Sequence, residues 1–294
     1  MSAQPQAPTI FDRALIRRRL ARAAASGAED FLVARAAEDL VERLSVVKRD
    51  FRRVLDLGSP RPDVALALAA ALPGADIVRL SPVPGALGVG RFAAVVGDEE
   101  RQPFGPASFD LVVSCLSLHA VNDLPGALVQ ARRSLKPDGL FLCCLLGGGT
   151  LNELRTALSV AESEVRGGAS PRVAPFSDLR DLGGLLQRAG FALPVTDTEP
   201  LVVRYRDLGR LFGDLRAMGA TNALALRHRG PMPRAVLARA ADVYATRFSD
   251  PDGRLRATFD AVWLSGWAPH DSQQKPLKPG SAAMSLEAAL KAKG

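Results

Sequence analysis

The stretch Val54-Leu55-Asp56-Leu57-Gly58 constrains this chain more than any other, because it opens an alternation of short apolar strands and alanine-rich helices that suits a largely parallel sheet. Strand character at residues 54–57 gives way to a helix over 63–72, stopped by Pro73-Gly74, and a second strand follows at 77–80. Further strands are expected at 93–96 and 109–114. A helix over 124–135 starts beside the cap residues Asn122 and Asp123 and ends at the turn Lys136-Pro137-Asp138-Gly139. Residues 140–146 are wholly apolar, as a strand covered on both faces should be. The loop after the first strand reads Ser59-Pro60-Arg61-Pro62, so two prolines restrict φ and remove N–H groups at the carboxyl end of that strand. In doubly wound sheets this is the end where ligands bind.

Before the first strand, Ile16, Leu20 and Ala24 recur four apart among arginines and predict a basic amphipathic helix over 11–25, with a second helical pattern at 31–44. Beyond Gly147-Gly148-Gly149, Thr150 and Glu153 form a capping box for a helix running to 165. A helix over 177–189, strands at 191–195 and 201–205, helical spacing at 208–218 and 236–244, and a last strand at 258–264 complete the reading. The expected architecture is α/β and Rossmann-like, with helices on both faces of the sheet. An N-terminal helical extension, 1–50, precedes a main domain, 51–280, which carries a helical insertion at 207–250 before the last strand; a mobile tail covers 281–294.

Composition narrows the partners. The formal net charge is +7, carried by thirty-two arginines and only six lysines among the 38 basic residues. They are scattered rather than striped with aromatics, which argues against a nucleic-acid surface and suits an acidic protein partner. Arg172, Arg180, Arg204 and Arg216 are candidates for such contacts. Cys115, Cys143 and Cys144 sit in apolar runs and read as small buried hydrophobes in a reducing compartment. No apolar run reaches the length of a membrane span. The expected location is the cytoplasm, with an organelle matrix as the alternative.

The best polar cluster is His119, Asn122 and Asp123, just past the fourth strand. His119 has the ordinary pKa of a general base or metal ligand, while Asn122 and Asp123 equally suit a helix cap. A two-histidine, one-carboxylate metal site would require His119 and Asp123 to meet a distant His228 or His270, and no spacing demands it, so no metal is expected. Trp267, His270, Gln273, Gln274 and Lys275 could form a partner-binding or cleft-closing loop.

Several irregular strings carry a more specific resemblance. Ser114-Cys115-Leu116-Ser117-Leu118-His119-Ala120-Val121-Asn122-Asp123, Phe11-Asp12-Arg13, Gly167-Gly168-Ala169-Ser170-Pro171-Arg172, Asp214-Leu215-Arg216-Ala217-Met218-Gly219 and Gly266-Trp267-Ala268-Pro269-His270 resemble the methyltransferase-fold proteins related to mitochondrial complex I assembly factor 5. More distantly, they are similar to the malonyl carrier-protein methyltransferases of biotin synthesis. The resemblance implies a class I S-adenosylmethionine (SAM) methyltransferase fold. It also implies a role in assembling respiratory complex I or modifying one of its subunits, by hydroxylating an arginine of an iron–sulfur client.

Against that template Asp56, Gly58, Ser59, Ser81, Asp98, Glu99 and Ser114 are the expected cofactor-binding positions, and the polar cluster His119, Asn122 and Asp123 supplies the expected catalytic ones. The acid expected at the end of the second strand is missing, and Arg79 stands near its place. With Pro60 and Pro62 in the loop, SAM binding is expected to be weakened or lost. A conventional SAM-dependent methyltransferase and a non-catalytic client-binding module remain the alternatives.

Overall fold

The structure is a computed structural model that describes residues 9–27, 30–87 and 90–274. The tail expected at 281–294 lies outside the described residues. Seven strands form one sheet: β1 (Arg53–Leu57), β2 (Asp76–Ser81), β3 (Ala93–Val96), β4 (Phe109–Cys115), β5 (Leu135–Leu146), β6 (Ala192–Tyr205) and β7 (Leu255–Trp267). Their order is β3-β2-β1-β4-β5-β7-β6. The first five strands run parallel, and β7 pairs antiparallel with both β5 and β6. The order reverses at β1, so β1 and β4 end at the crevice where such sheets bind ligands.

The helices are α1 (Arg13–Ser26), α2 (Phe31–Ser45), α3 (Asp63–Ala71), α4 (Leu124–Ser134), α5 (Asn152–Arg166), α6 (Leu179–Arg188), α7 (Leu208–Ala217) and α8 (Arg234–Phe248). The period of two along each strand divides the core. Val54, Ile77, Leu111 and Val113 turn to one face and pack on Val33 and Leu40 of α2 and Val64 and Leu68 of α3. Leu55, Leu57, Val112 and Phe141 turn to the other face, against Ala127 and Leu128 of α4 and Leu182 and Leu186 of α6. A third cluster joins α5, α7 and α8 to Tyr205 and Phe259 of the β6–β7 hairpin, so the insertion forms a helical cap with its own core.

The strands at 191–195 and 201–205 are a single strand. β6 runs through Pro200, which pairs in register with Asp260. β6 is the sheet's edge and bonds only to β7, so a residue without an N–H can sit there facing outward. The polar run from Thr196 to Pro200 has the composition of a loop, which hides the continuity. The last strand is longer than its central alternation indicates and takes in Gly266 and Trp267.

Helix α1 lies across the open end of the sheet. Asn122 holds the chain entering it: its Oδ1 accepts from the Ile10 and Phe11 N–H groups at 2.9 and 2.8 Å, and its Nδ2 donates to the Phe11 carbonyl at 3.1 Å. Asp12 caps α1 by accepting from the Leu15 N–H and also pairs with Arg227 at 3.1 Å.

Candidate functional site

At the end of β1 the backbone turns through Gly58, whose φ is +79° and whose N–H donates to the Leu80 carbonyl at 2.8 Å. A Cβ built there would lie 2.5 Å from Ser117 Oγ and 2.7 Å from Glu99 Cγ, so only glycine fits on both counts. Ser59 is fully buried, and its hydroxyl accepts from the Cys115 N–H at 3.1 Å, tying the loop to β4.

Asp56 and Arg79 stand opposite one another on β1 and β2 and are both fully buried. Arg79 Nε donates to Asp56 Oδ2 at 2.8 Å. The rest of its fork reaches the carbonyls of Ala86 at 2.6 Å, Ser59 at 3.2 Å and Arg61 at 2.7 Å. One guanidinium thus holds the proline-containing loop from beneath. Ser81, at the end of β2, accepts from the Val83 N–H through its hydroxyl at 3.2 Å.

The acids after β3 are also engaged. Arg13 of α1 pairs with Asp98 at 3.0 Å, with Glu100 at 3.3 Å and with Glu99, while Arg17 pairs with Asp98. Ser117 donates to Glu99 Oε1 at 2.9 Å. Burial alone would raise the Asp98 pKa, but the Glu100 N–H and the two arginines outweigh it and hold the carboxyl below its usual value. Ser114 lies inside β4, fully buried, and its hydroxyl has no hydrogen-bond partner among the described residues.

A cavity of about 450 Å³ opens from Gly58, Pro60, Glu99, Ser117 and His119 toward the helical cap. Its size and mainly apolar lining suit a small-molecule or side-chain ligand. His119 faces it, edge-on to Phe176 with ring centroids 5.7 Å apart, and burial lowers its pKa to about 4. The imidazole is therefore neutral at ordinary pH, and its Nδ1 is sealed from solvent with no hydrogen-bond partner among the described residues.

Of the three residues expected to act together, only His119 lines the cavity. Asn122 is committed to the Ile10–Phe11 backbone. Asp123 caps α4, its Oδ1 accepting from the Gly126 N–H at 2.8 Å. Arg13 and Ser117 are site residues that the sequence reading does not single out, although each stands inside a string that carries the family resemblance, Phe11–Arg13 and Ser114–Asp123; nothing in local sequence reveals that α1 reaches Glu99. Among the described residues, no group of three or more His, Cys, Asp or Glu side chains is placed to hold a metal ion. Nor is any described helix long and apolar enough to cross a membrane. Arg172 and Arg204 are spent internally, on Glu162 and on Asp250 and Asp252.

The strand order and the site at the ends of β1, β2 and β3 define a class I methyltransferase domain. The methyltransferase-domain family profile matches residues 30–194. The YcgJ protein of Bacillus subtilis shares the fold, with a TM-score of 0.55 at 16% identity over 80% of this chain and 99% of that one.

Within that class the chain belongs to the family of the arginine-hydroxylase NDUFAF5. It is 38% identical to the human mitochondrial member over 292 residues, 97% of this chain and 84% of that protein. It is also related to the malonyl-(acyl-carrier protein) O-methyltransferases, with 34% identity to that of Methylovorus sp. strain MP688 over 88% of this chain and 90% of that protein.

Proposed function

We propose that this protein modifies or helps assemble a respiratory complex I subunit, an iron–sulfur client carrying the target arginine, and that its SAM binding is weak or lost. The observation that carries the second part is Arg79. Its charge is spent on Asp56 and its donors on the carbonyls of the β1–α3 loop, while Ser81 offers no carboxylate where a ribose-binding acid is expected. Pro60 and Pro62 remove two N–H donors from the same loop, and Arg13 and Arg17 already occupy Asp98. The methyl donor would find few unmet partners at these strand ends.

The first part rests on relatedness across nearly the whole chain. At the Gly58 end of the cavity, His119 is the group whose ring nitrogen is free to exchange a hydrogen bond with a bound residue. Asn122 positions the Ile10–Phe11 segment leading into α1, and Asp123 caps α4 just after His119. The setting is the cytoplasm, or an organelle matrix.

A conventional SAM-dependent methyltransferase is the second reading, favoured by the retained Gly58 turn and by the malonyl-(acyl-carrier protein) O-methyltransferase relatives. Calorimetry of the full chain with SAM separates the two. No heat and no thermal shift are expected, whereas micromolar affinity would overturn the weakened-cofactor reading. Deleting the gene should lower assembled complex I and remove one oxygen atom's mass from the client arginine. Unchanged complex and client would overturn the assembly reading. Loss of complex with an unmodified client in the wild type would leave a non-catalytic binding module.

A further inference from the structure

The cavity has two chemically different ends. Near Gly58 it is polar, with Glu99, Ser117 and His119; beneath the cap it is walled by Leu154, Leu158, Phe212, Met232 and Leu237. About 450 Å³ exceeds what one amino-acid side chain fills, and the walls of the cap end offer almost nothing to a polar ligand.

The charges facing the cavity are unequal in what they leave unmet. Its acids are already engaged: Asp30 caps α2 by accepting from the Leu32 and Val33 N–H groups, and Glu99 holds Arg13 and Ser117. Two of its three arginines are likewise spent, Arg13 on Asp98, Glu99 and Glu100, and Arg172 on Glu162. The third, Arg216 on α7, is exposed, and no described residue forms a side-chain hydrogen bond or ion pair with its guanidinium. The unmet charge at this cavity is therefore a cation beside an apolar chamber.

We propose that the cap end of the cavity binds an aliphatic carboxylate, with its hydrocarbon chain among α5, α7 and α8 and its carboxylate on Arg216. A planar guanidinium matches a carboxylate with two parallel hydrogen bonds, and the aliphatic walls reward each methylene removed from water. The ligand requires neither the protein client nor the methyl donor, so this site stands or falls separately from the reaction proposed above.

The test is calorimetric titration of the full chain with acetate, octanoate, decanoate and dodecanoate below their micelle concentrations, and with dodecanol. One saturable site is expected, silent to acetate and tightening roughly tenfold for each added pair of methylenes. Arg216→Gln, a change on an exposed helix position, should weaken dodecanoate about tenfold and leave dodecanol unchanged. Leu237→Trp narrows the chamber from a side chain that is 39% exposed, so it should fold normally and weaken both ligands. Absence of saturable dodecanoate binding, binding without chain-length dependence, or equal binding of the acid by Arg216→Gln would overturn the proposal.

Discussion

Arg79 Nε lies 2.8 Å from Asp56 Oδ2, and neither side chain reaches solvent. A pair buried this completely matters most when it is broken, because the remaining charge has no water to turn to. Arg79→Met should destabilise the fold by about 3–5 kcal/mol, read as a lower urea midpoint. It also frees the Ala86, Ser59 and Arg61 carbonyls, so amide exchange should quicken through residues 58–62. The double variant Asp56→Leu with Arg79→Met removes both charges and should recover much of the loss. A double variant as unstable as the single one would show that the carbonyl bonds, rather than the ion pair, hold the loop.

Asn122 and Asp123 are neighbours with separable work. Asn122→Ala removes three hydrogen bonds to Ile10 and Phe11 and should cost about 2 kcal/mol, with faster proteolysis and amide exchange confined to the segment leading into α1. Asp123→Ala removes the α4 cap and should cost about 1 kcal/mol while leaving exchange at Ile10 and Phe11 unchanged. Both variants should fold. Loss of client modification in Asp123→Ala at wild-type stability would give that carboxylate a chemical role beyond the cap.

The two halves of the site differ in how far the sequence reveals them. Strands β1, β2, β4 and β5 show as apolar runs at regular spacing because helices cover both faces of that part of the sheet, and the missing acid after β2 is visible in Ser81 itself. That Arg79 meets Asp56 depends on the β1–β2 register, which places residues 23 apart side by side. The Asn122 contacts reach 111 and 112 residues back to a segment with no strand pattern, so no local period announces them. The continuity of β6 was hidden for another reason: an edge strand tolerates Pro200 and a polar outer face, which from composition alone read as a loop.

Glu162 of α5 holds down the loop that forms one wall of the cavity. Its carboxylate accepts from the Ser170 N–H at 2.8 Å and from Arg172 Nε at 3.0 Å, and Arg172 and Val173 line the cavity. Burial by itself would raise the Glu162 pKa, but Arg172 and Ser170 outweigh it and bring it from 4.5 down to about 2. A carboxyl depressed in the folded state stabilises fully above its unfolded pKa and loses that contribution as pH falls. Thermal stability should therefore decline from about pH 4.5 toward pH 2, and Glu162→Gln should flatten that part of the profile. An unchanged acid limb in the variant would refute the assignment.

His119 titrates in the opposite chemical sense but produces a slope of the same sign. Burial among Phe176 and the cavity wall lowers its pKa from 6.5 to about 4, so the folded protein resists taking up a proton that the unfolded chain accepts readily. The contribution is complete above pH 6.5 and is lost as pH falls toward 4. The two limbs meet near pH 4 to 4.5, and the loss between about pH 6.5 and 5 belongs mainly to His119. His119→Gln should remove the upper one while costing little at pH 8. NMR of the ring should show a neutral imidazole through pH 6 to 8 and a midpoint near 4. A midpoint near the ordinary histidine value would mean that the ring is solvated. In that case the neutral hydrogen-bonding role proposed for it at the cavity would not hold.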